Sequence, residues 1–265
     1  MACNSIVIAR EVWDTRDLAT QVVDEQGEVR ASALQTRFEP EDLNALEIAL
    51  RLKDAQGGKV TVLTFGEAGS VDVPREALYR GADEAHRIEV KRSDVDTQGA
   101  ATLLAAAIKK LGGADLILLG VTVPEGENSL LGSHLAALLD TEQISYVDSV
   151  EKLEGGTVTA RRAIEMGYET VAVPCPAVIT AGVALLEDDP RTPRSAKAML
   201  KLKHKKTDIP LHKPVDLGVP DVAALRTTVV VKREAVAERV IQSVDVDPES
   251  ETALKAMLDT VLKGA

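Results

Sequence analysis

Residues Asp115–Leu139 read DLILLGVTVPEGENSLLGSHLAALL, and their order decides the fold. Leu116–Leu119 is an uninterrupted apolar run, the pattern of a strand buried on both faces. A glycine-bearing acidic loop follows, from Gly120 to Asn128. A helix then opens, with Asn128 or Ser129 as its N-cap and Leu131, Leu135 and Leu138 on one face. Strand, loop and helix N-terminus make the geometry that binds phosphate, because first-turn N–H groups lack intrahelical partners and the dipole is positive there. Glu125 and Glu127 oppose phosphate unless they turn away or meet a ribose hydroxyl.

Upstream, the same alternation repeats. Ser5–Ala9 reads as a first buried strand, and 10–17 as a polar loop at its carboxyl end. Gln21–Val23 and Glu28–Arg30 flank a turn at 24–27, a small surface hairpin. Pro40 starts a helix with Glu41 and Asp42 beside its positive end; Leu43, Leu46, Leu50 and Lys53 form its stripe, and Gly57-Gly58 stops it. Then come a strand at Lys59–Phe65, a short helix at Pro74–Arg80, a strand of mixed polarity nearer an edge at Ala85–Val90, and a helix at Asp96–Leu111. Such repetition predicts an α/β fold: a doubly wound, mostly parallel sheet that binds ligands at the carboxyl ends of its strands. Ile8, Ala9, Arg10, Phe38, Glu39, Thr64, Phe65, Gly66 and the stretch 121–131 are therefore the lining candidates.

Downstream the texture changes. Ile144–Leu153, Thr157–Ile164, Glu169–Val173 and Ala177–Ala181 read as an antiparallel meander on the sheet edge or beside it. An irregular acidic and basic stretch spans 187–206, with a short helix near 195–200. Pro210, Pro214 and Pro220 predict an extended connector. Thr227–Lys232 reads as one more strand and Pro248–Leu262 as a terminal helix, a tail that either wraps a partner or folds back.

Composition excludes several roles. Of 265 residues, 45% are hydrophobic but only 2% aromatic, too few for base-stacking platforms. The net charge of −11 disfavours nucleic acid and anionic membranes. No segment reads as a secretory leader or a membrane span, so a cytoplasmic protein is expected. Cys3 and Cys175 read as unrelated thiols suited to a reducing compartment. His86, His134, His204 and His212 fall in unrelated contexts without metal-ligand spacing. There is no Walker lysine, no G-x-G-x-x-G and no nucleophile–histidine set. Glu125 and Glu127 are a weak carboxylate pair, read rather as solvent-facing or bound to backbone N–H groups. The chain looks like a binding subunit without catalytic side chains, where a redox cofactor carries any chemistry.

The order of certain pieces resembles the small (beta) subunit of electron-transfer flavoproteins, over nearly the whole chain. It rests on Val7-Ile8-Ala9-Arg10-Glu11-Val12 with Asp14-Thr15, on Phe38-Glu39-Pro40-Glu41-Asp42 with Ala45-Leu46-Glu47 and Leu52-Lys53, and on Gly66. Ala77-Leu78, Gly81-Ala82-Asp83-Glu84, the run 115–120 and Gly132 continue it. Residues 176–180, Pro190-Arg191, Ser195–Lys197 and Asp216-Leu217-Gly218-Val219 complete it. The resemblance implies an adenine-nucleotide alpha-hydrolase-like fold with an extended C-terminal tail that wraps a partner. It implies a nucleotide domain over 1–225 and a strand and helix over 226–265 that pack on a larger alpha subunit. That alpha subunit carries FAD and passes electrons between dehydrogenases, or other flavin or iron–sulfur partners, and a downstream acceptor. The beta subunit binds AMP structurally or, in bifurcating members, a second FAD at the same place; a structural subunit without a redox task is the third possibility. Its cofactor-binding set here is Ile8, Ala9, Arg10, Glu39, Thr64, Phe65, Gly66, Glu125, Gly126, Glu127, Asn128, Ser129, Leu130 and Leu131. A docking loop within 187–206 presents Arg191, Arg194, Ser195, Ala196, Lys197 and Met199 to the redox partner.

This sequence departs from the family pattern. Glu125-Gly126-Glu127 stands where the loop is usually Asp-Gly-Asp-like, and Leu130 and Leu131 take places of polar phosphate contacts. Glu39 stands where many relatives have asparagine before the proline. Ala196 takes the place of a docking leucine, an anchor of about 2 kcal/mol or more, so either the partner is atypical or Arg191, Arg194 and Met199 do that work instead.

Overall fold

The computed structural model describes residues 2–14, 35–67, 70–91, 94–121, 129–182, 208–225 and 250–263. In chain order the elements are β1 (Ser5–Ile8), β2 (Glu11–Trp13), β3 (Thr36–Phe38), α1 (Pro40–Gln56), β4 (Val60–Gly66), α2 (Asp72–Arg80), β5 (Glu84–Glu89), α3 (Thr97–Lys110) and β6 (Leu116–Gly120). Then come α4 (Leu131–Leu139), β7 (Glu142–Glu154), β8 (Thr157–Ile164), β9 (Gly167–Pro174), β10 (Ala177–Ala181), β11 (Leu211–His212) and α5 (Glu251–Lys263). The chain divides into two compact units, 1–227 and 228–265. Among the described residues no helix is long and apolar enough to cross a membrane.

The first unit is built on a nine-stranded sheet of order β11-β5-β4-β1-β6-β10-β7-β8-β9. From β11 through to β7 neighbouring strands run parallel; β7, β8 and β9 pair antiparallel. Side chains alternate across each strand, so successive apolar residues serve opposite layers. Val7, Val62 and Leu118 face α1 and α2, while Ile6, Ile8, Leu63 and Leu119 face α3 and α4. This two-sided demand is why the central strands read as continuous apolar runs.

Helix boundaries follow local chemistry. Pro40 enters α1 without losing a needed N–H, and Lys53 closes its last turn, binding Gly81 O at 3.2 Å and Asp83 at 2.6 Å. Asp96 caps α3 by accepting from the Gly99 amide at 2.8 Å.

Four expectations need correction. The polar loop at 10–17 contains β2, which pairs with β3 because Val12 and Phe38 both bury their side chains. Ala177–Ala181 is no meander strand: β10 is fully buried and lies between β6 and β7. The proline-rich connector contributes a short edge strand, β11, and two 3-10 turns. α4 begins at Leu131 with Leu130 as an N-cap that makes no side-chain bond, and Leu138 is exposed while Ala136 fills the buried face.

In the second unit α5 is described by itself. Leu254 and Leu258 are exposed along it. The hairpin at 21–30 and the strand at 227–232 lie outside the described residues.

Candidate functional site

Chain order reverses direction between β1 and β6: β4 and β5 extend the sheet one way, and β6 starts the other side. A crevice at the carboxyl ends of the strands is expected at that switch point. Arg10, immediately past β1, and Gly120, the last residue of β6, meet there. Asp42, in the first turn of α1, joins them. Its Oδ2 accepts from the Arg10 backbone N–H at 2.7 Å and from Nε at 2.9 Å, and its Oδ1 accepts from Nη2 at 2.8 Å. The Gly120 N–H also donates to Oδ1, at 2.6 Å, while Gly120 O accepts from Arg10 Nη2 at 3.2 Å. Arg10 is 4% exposed and Asp42 0%, so water competes little for either charge. Position 120 tolerates only glycine: a Cβ would lie 2.6 Å from Glu41 Cβ and 2.9 Å from Arg10 Nη2.

Glu39 shares this corner. Its N–H donates to Arg10 O at 3.0 Å, and its carboxylate caps α1 by accepting from the Glu41 N–H at 3.2 Å. Burial, and then the neighbouring Asp42 carboxylate, push its carboxyl up to about 8, against the pull of Arg10. Near pH 7 this favours the uncharged acid at Glu39.

Ile8 and Ala9 are buried, and Ala9 N–H donates to Leu63 O at 2.9 Å, continuing the β1–β4 ladder towards Arg10. Thr64 is buried; Phe65 and Gly66 are partly open. They border a cavity of about 270 Å³ lined by Glu11, Trp13, Thr36, Phe65, Gly66, Glu67 and Ser70. The Thr36 hydroxyl donates to Glu11. An aromatic flanked by two carboxylates suits a ring or a sugar with hydroxyl donors better than a phosphate.

Ser129, Leu130 and Leu131 stand at the start of α4. Leu130 as N-cap supplies no side-chain cap among the described residues, and a helix start of this kind offers backbone N–H groups and the positive dipole end to an acceptor. The helix is pressed onto the sheet at Gly132, where a Cβ would collide with Thr180 Cγ2 and come within 3.2 Å of Gln143 Nε2. Leu131 is buried in the core on the α3 and α4 side, while Leu130 is 42% exposed. Glu125, Gly126, Glu127 and Asn128 lie outside the described residues, as do Arg191, Arg194, Ser195, Ala196, Lys197 and Met199. No group of three or more metal-ligating side chains assembles among the described residues.

The family model for the electron transfer flavoprotein domain matches residues 28–206, about two thirds of the chain. The chain belongs to this family, on its beta-subunit side. It is 34% identical over 204 residues to the electron transfer flavoprotein subunit beta of Thermoanaerobacterium thermosaccharolyticum, covering 77% of this chain and 76% of the relative. It is 33% identical over 188 residues to the caffeyl-CoA reductase-Etf complex subunit CarD of Acetobacterium woodii, covering 70% of each. Protein FixA of Bradyrhizobium diazoefficiens is 30% identical over 227 residues, covering 83% of this chain and 76% of FixA.

Asp42 is the residue that sequence reasoning undervalued. A first-turn acid is expected to answer the helix dipole, yet Asp42 ties two strand ends together. The histidines are also corrected. His86 and His212 are not isolated; their rings face one another at the sheet edge. Cys3 and Cys175 are both free thiols, and burial pushes each up.

Proposed function

We propose that this chain is the beta subunit of a heterodimeric electron-transfer flavoprotein, and that it binds AMP at the carboxyl ends of β1, β4 and β6. The observation that carries the reading is the switch point itself. The Arg10–Asp42–Gly120 clamp fixes the ends of β1 and β6, and the first turn of α4 follows in the same strand–loop–helix unit. Backbone N–H groups there hold a phosphate whatever side chains surround them, so Leu130 and Leu131 do not disqualify the site. Glu39 in its neutral form adds no repulsion. The segment 187–206 docks the dehydrogenase or other flavin or iron–sulfur partner, and 226–265 packs on the alpha subunit. The bound FAD of that subunit supplies the redox chemistry. This chain shapes the FAD site and holds its own nucleotide. We place the complex in the cytoplasm, where free Cys3 and Cys175 stay reduced.

A second reading has one observation in its favour. The cavity beside Trp13 and Phe65 adjoins the strand ends and has room for a ring, so FAD in place of AMP would make this a bifurcating subunit. Denaturing extraction of the αβ complex, with chromatographic quantification of FAD and AMP per heterodimer, separates the readings. One FAD and one AMP bear out the first. Two FAD and no AMP replace it with the second. One FAD without AMP overturns the nucleotide site and leaves a structural subunit.

A further inference from the structure

The C-terminal part of the first unit is strapped onto an edge of the sheet. β11 pairs with β5 over only two residues, Leu211 opposite Arg87 and His212 opposite Ile88, and the Arg87 N–H donates to Pro210 O at 2.9 Å. A two-residue ladder is a weak hold by itself. Beyond it Leu217, Val219, Val222 and Leu225 are only partly buried against the core that contains α3. Lys110 Nζ donates to Asp216 O at 3.0 Å.

At the ladder, His86 Nδ1 and His212 Nε2 lie 3.1 Å apart, with ring centroids at 5.3 Å. Such a contact needs one N–H and one lone pair. Once both rings are protonated, N–H is set against N–H and two cations stand in contact. Other charges surround the pair. Glu84 on β5 lies 3.6 Å from His86 Nε2, but it is engaged by Lys59 at 2.6 Å. Lys110 on α3 and Asp216 on the 3-10 turn act on His212 with opposite sign.

We propose that the His86–His212 pair is an acid-released latch that holds the strap 208–225 on the sheet edge. Burial, then His86 and Lys110, keep the His212 imidazole below its ordinary value, against Asp216. A group depressed in this way favours the docked state above its ordinary value, and that contribution is lost as pH falls through the depressed one. The latch therefore holds while His212 is neutral and lets go as the pH falls through that lowered value.

Hydrogen exchange on the full-length chain, corrected for intrinsic rates, tests this between pH 7.5 and 5. Protection at 210–219 should drop by up to about tenfold per pH unit at the acid end, while amides of β1, β4 and β6 stay protected. The variant His212→Gln should remove the pH dependence of 210–219. Protection that does not change with pH in the wild type overturns the latch, even if the variant does not fold. So does an equal slope in wild type and variant, or a loss shared equally with β4.

Discussion

The carboxylate of Asp42 grips Arg10 with both oxygens, through Nε, Nη2 and the Arg10 backbone N–H, inside a site closed to solvent. The pair joins the loop after β1 to the first turn of α1, and Gly120 adds β6. Cutting one partner away leaves the other buried without compensation. Asp42→Ala should cost about 3–5 kcal/mol, read as a lower urea midpoint. The double variant Arg10→Met with Asp42→Leu should recover part of that loss, because no lone charge remains. A loss under about 1 kcal/mol for Asp42→Ala would show that the clamp is not structural.

Glu39 makes stability depend on pH in the alkaline direction. Its carboxyl is raised from about 4.5 to about 8, so the folded state favours the protonated form. That contribution is complete below the unfolded value and is lost as pH rises through the folded one. Stability should fall between about pH 4.5 and 8, then level off, with a total on the order of 5 kcal/mol. Glu39→Gln keeps a neutral cap and should remove most of this slope. Denaturation midpoints at several pH values, compared between wild type and variant, check it; parallel curves would refute the assignment.

Gly132 and Thr180 test the seat of α4. The variant Gly132→Ala drives a methyl onto Thr180 Cγ2 and should cost about 1–3 kcal/mol. Thr180→Ser removes that methyl but keeps the hydroxyl that accepts from the Tyr146 N–H at 3.2 Å. The double variant should therefore be more stable than Gly132→Ala alone. If the two losses simply add, the clash lies elsewhere.

In the proposed phosphate loop, Gly126→Pro removes a backbone N–H and restricts the chain. Nucleotide recovered per heterodimer after extraction should fall at least tenfold in this variant, while the far-ultraviolet circular dichroism stays unchanged. Full nucleotide content would sink the loop assignment.

The sheet was legible in the sequence because both of its faces are buried. Leu116–Leu119 announces itself as an apolar run and Lys59–Phe65 as a β-branched, mostly apolar stretch, and glycines punctuate the helices between them. What stayed hidden depends on partners remote in sequence. Nothing in Ala177–Ala181 says that it slots between β6 and β7 instead of following β9, since an apolar run fits either place. His86 and His212 are 126 positions apart, so no spacing rule joins them. The Arg10–Asp42 clamp was hidden for a different reason: an acid beside a helix start already has an adequate local explanation. At the site, the strand-end rule gathered Ile8–Arg10, Glu39 and Thr64–Gly66 into one region, but it could not tell that Glu39 is neutral, because that depends on burial beside Asp42.

The place of β10 has a consequence for how the protein is made. During synthesis β6 emerges long before β10, and β7 to β9 emerge in between. Until the ribosome has delivered residue 181, the inner edges of β6 and β7 expose unpaired amides and carbonyls that belong against β10. The nascent chain must keep that gap open and clean, and close it by insertion instead of growing the sheet outward strand by strand. A chain cut short before residue 177 would thus present two adhesive edges where the finished protein has a fully buried strand.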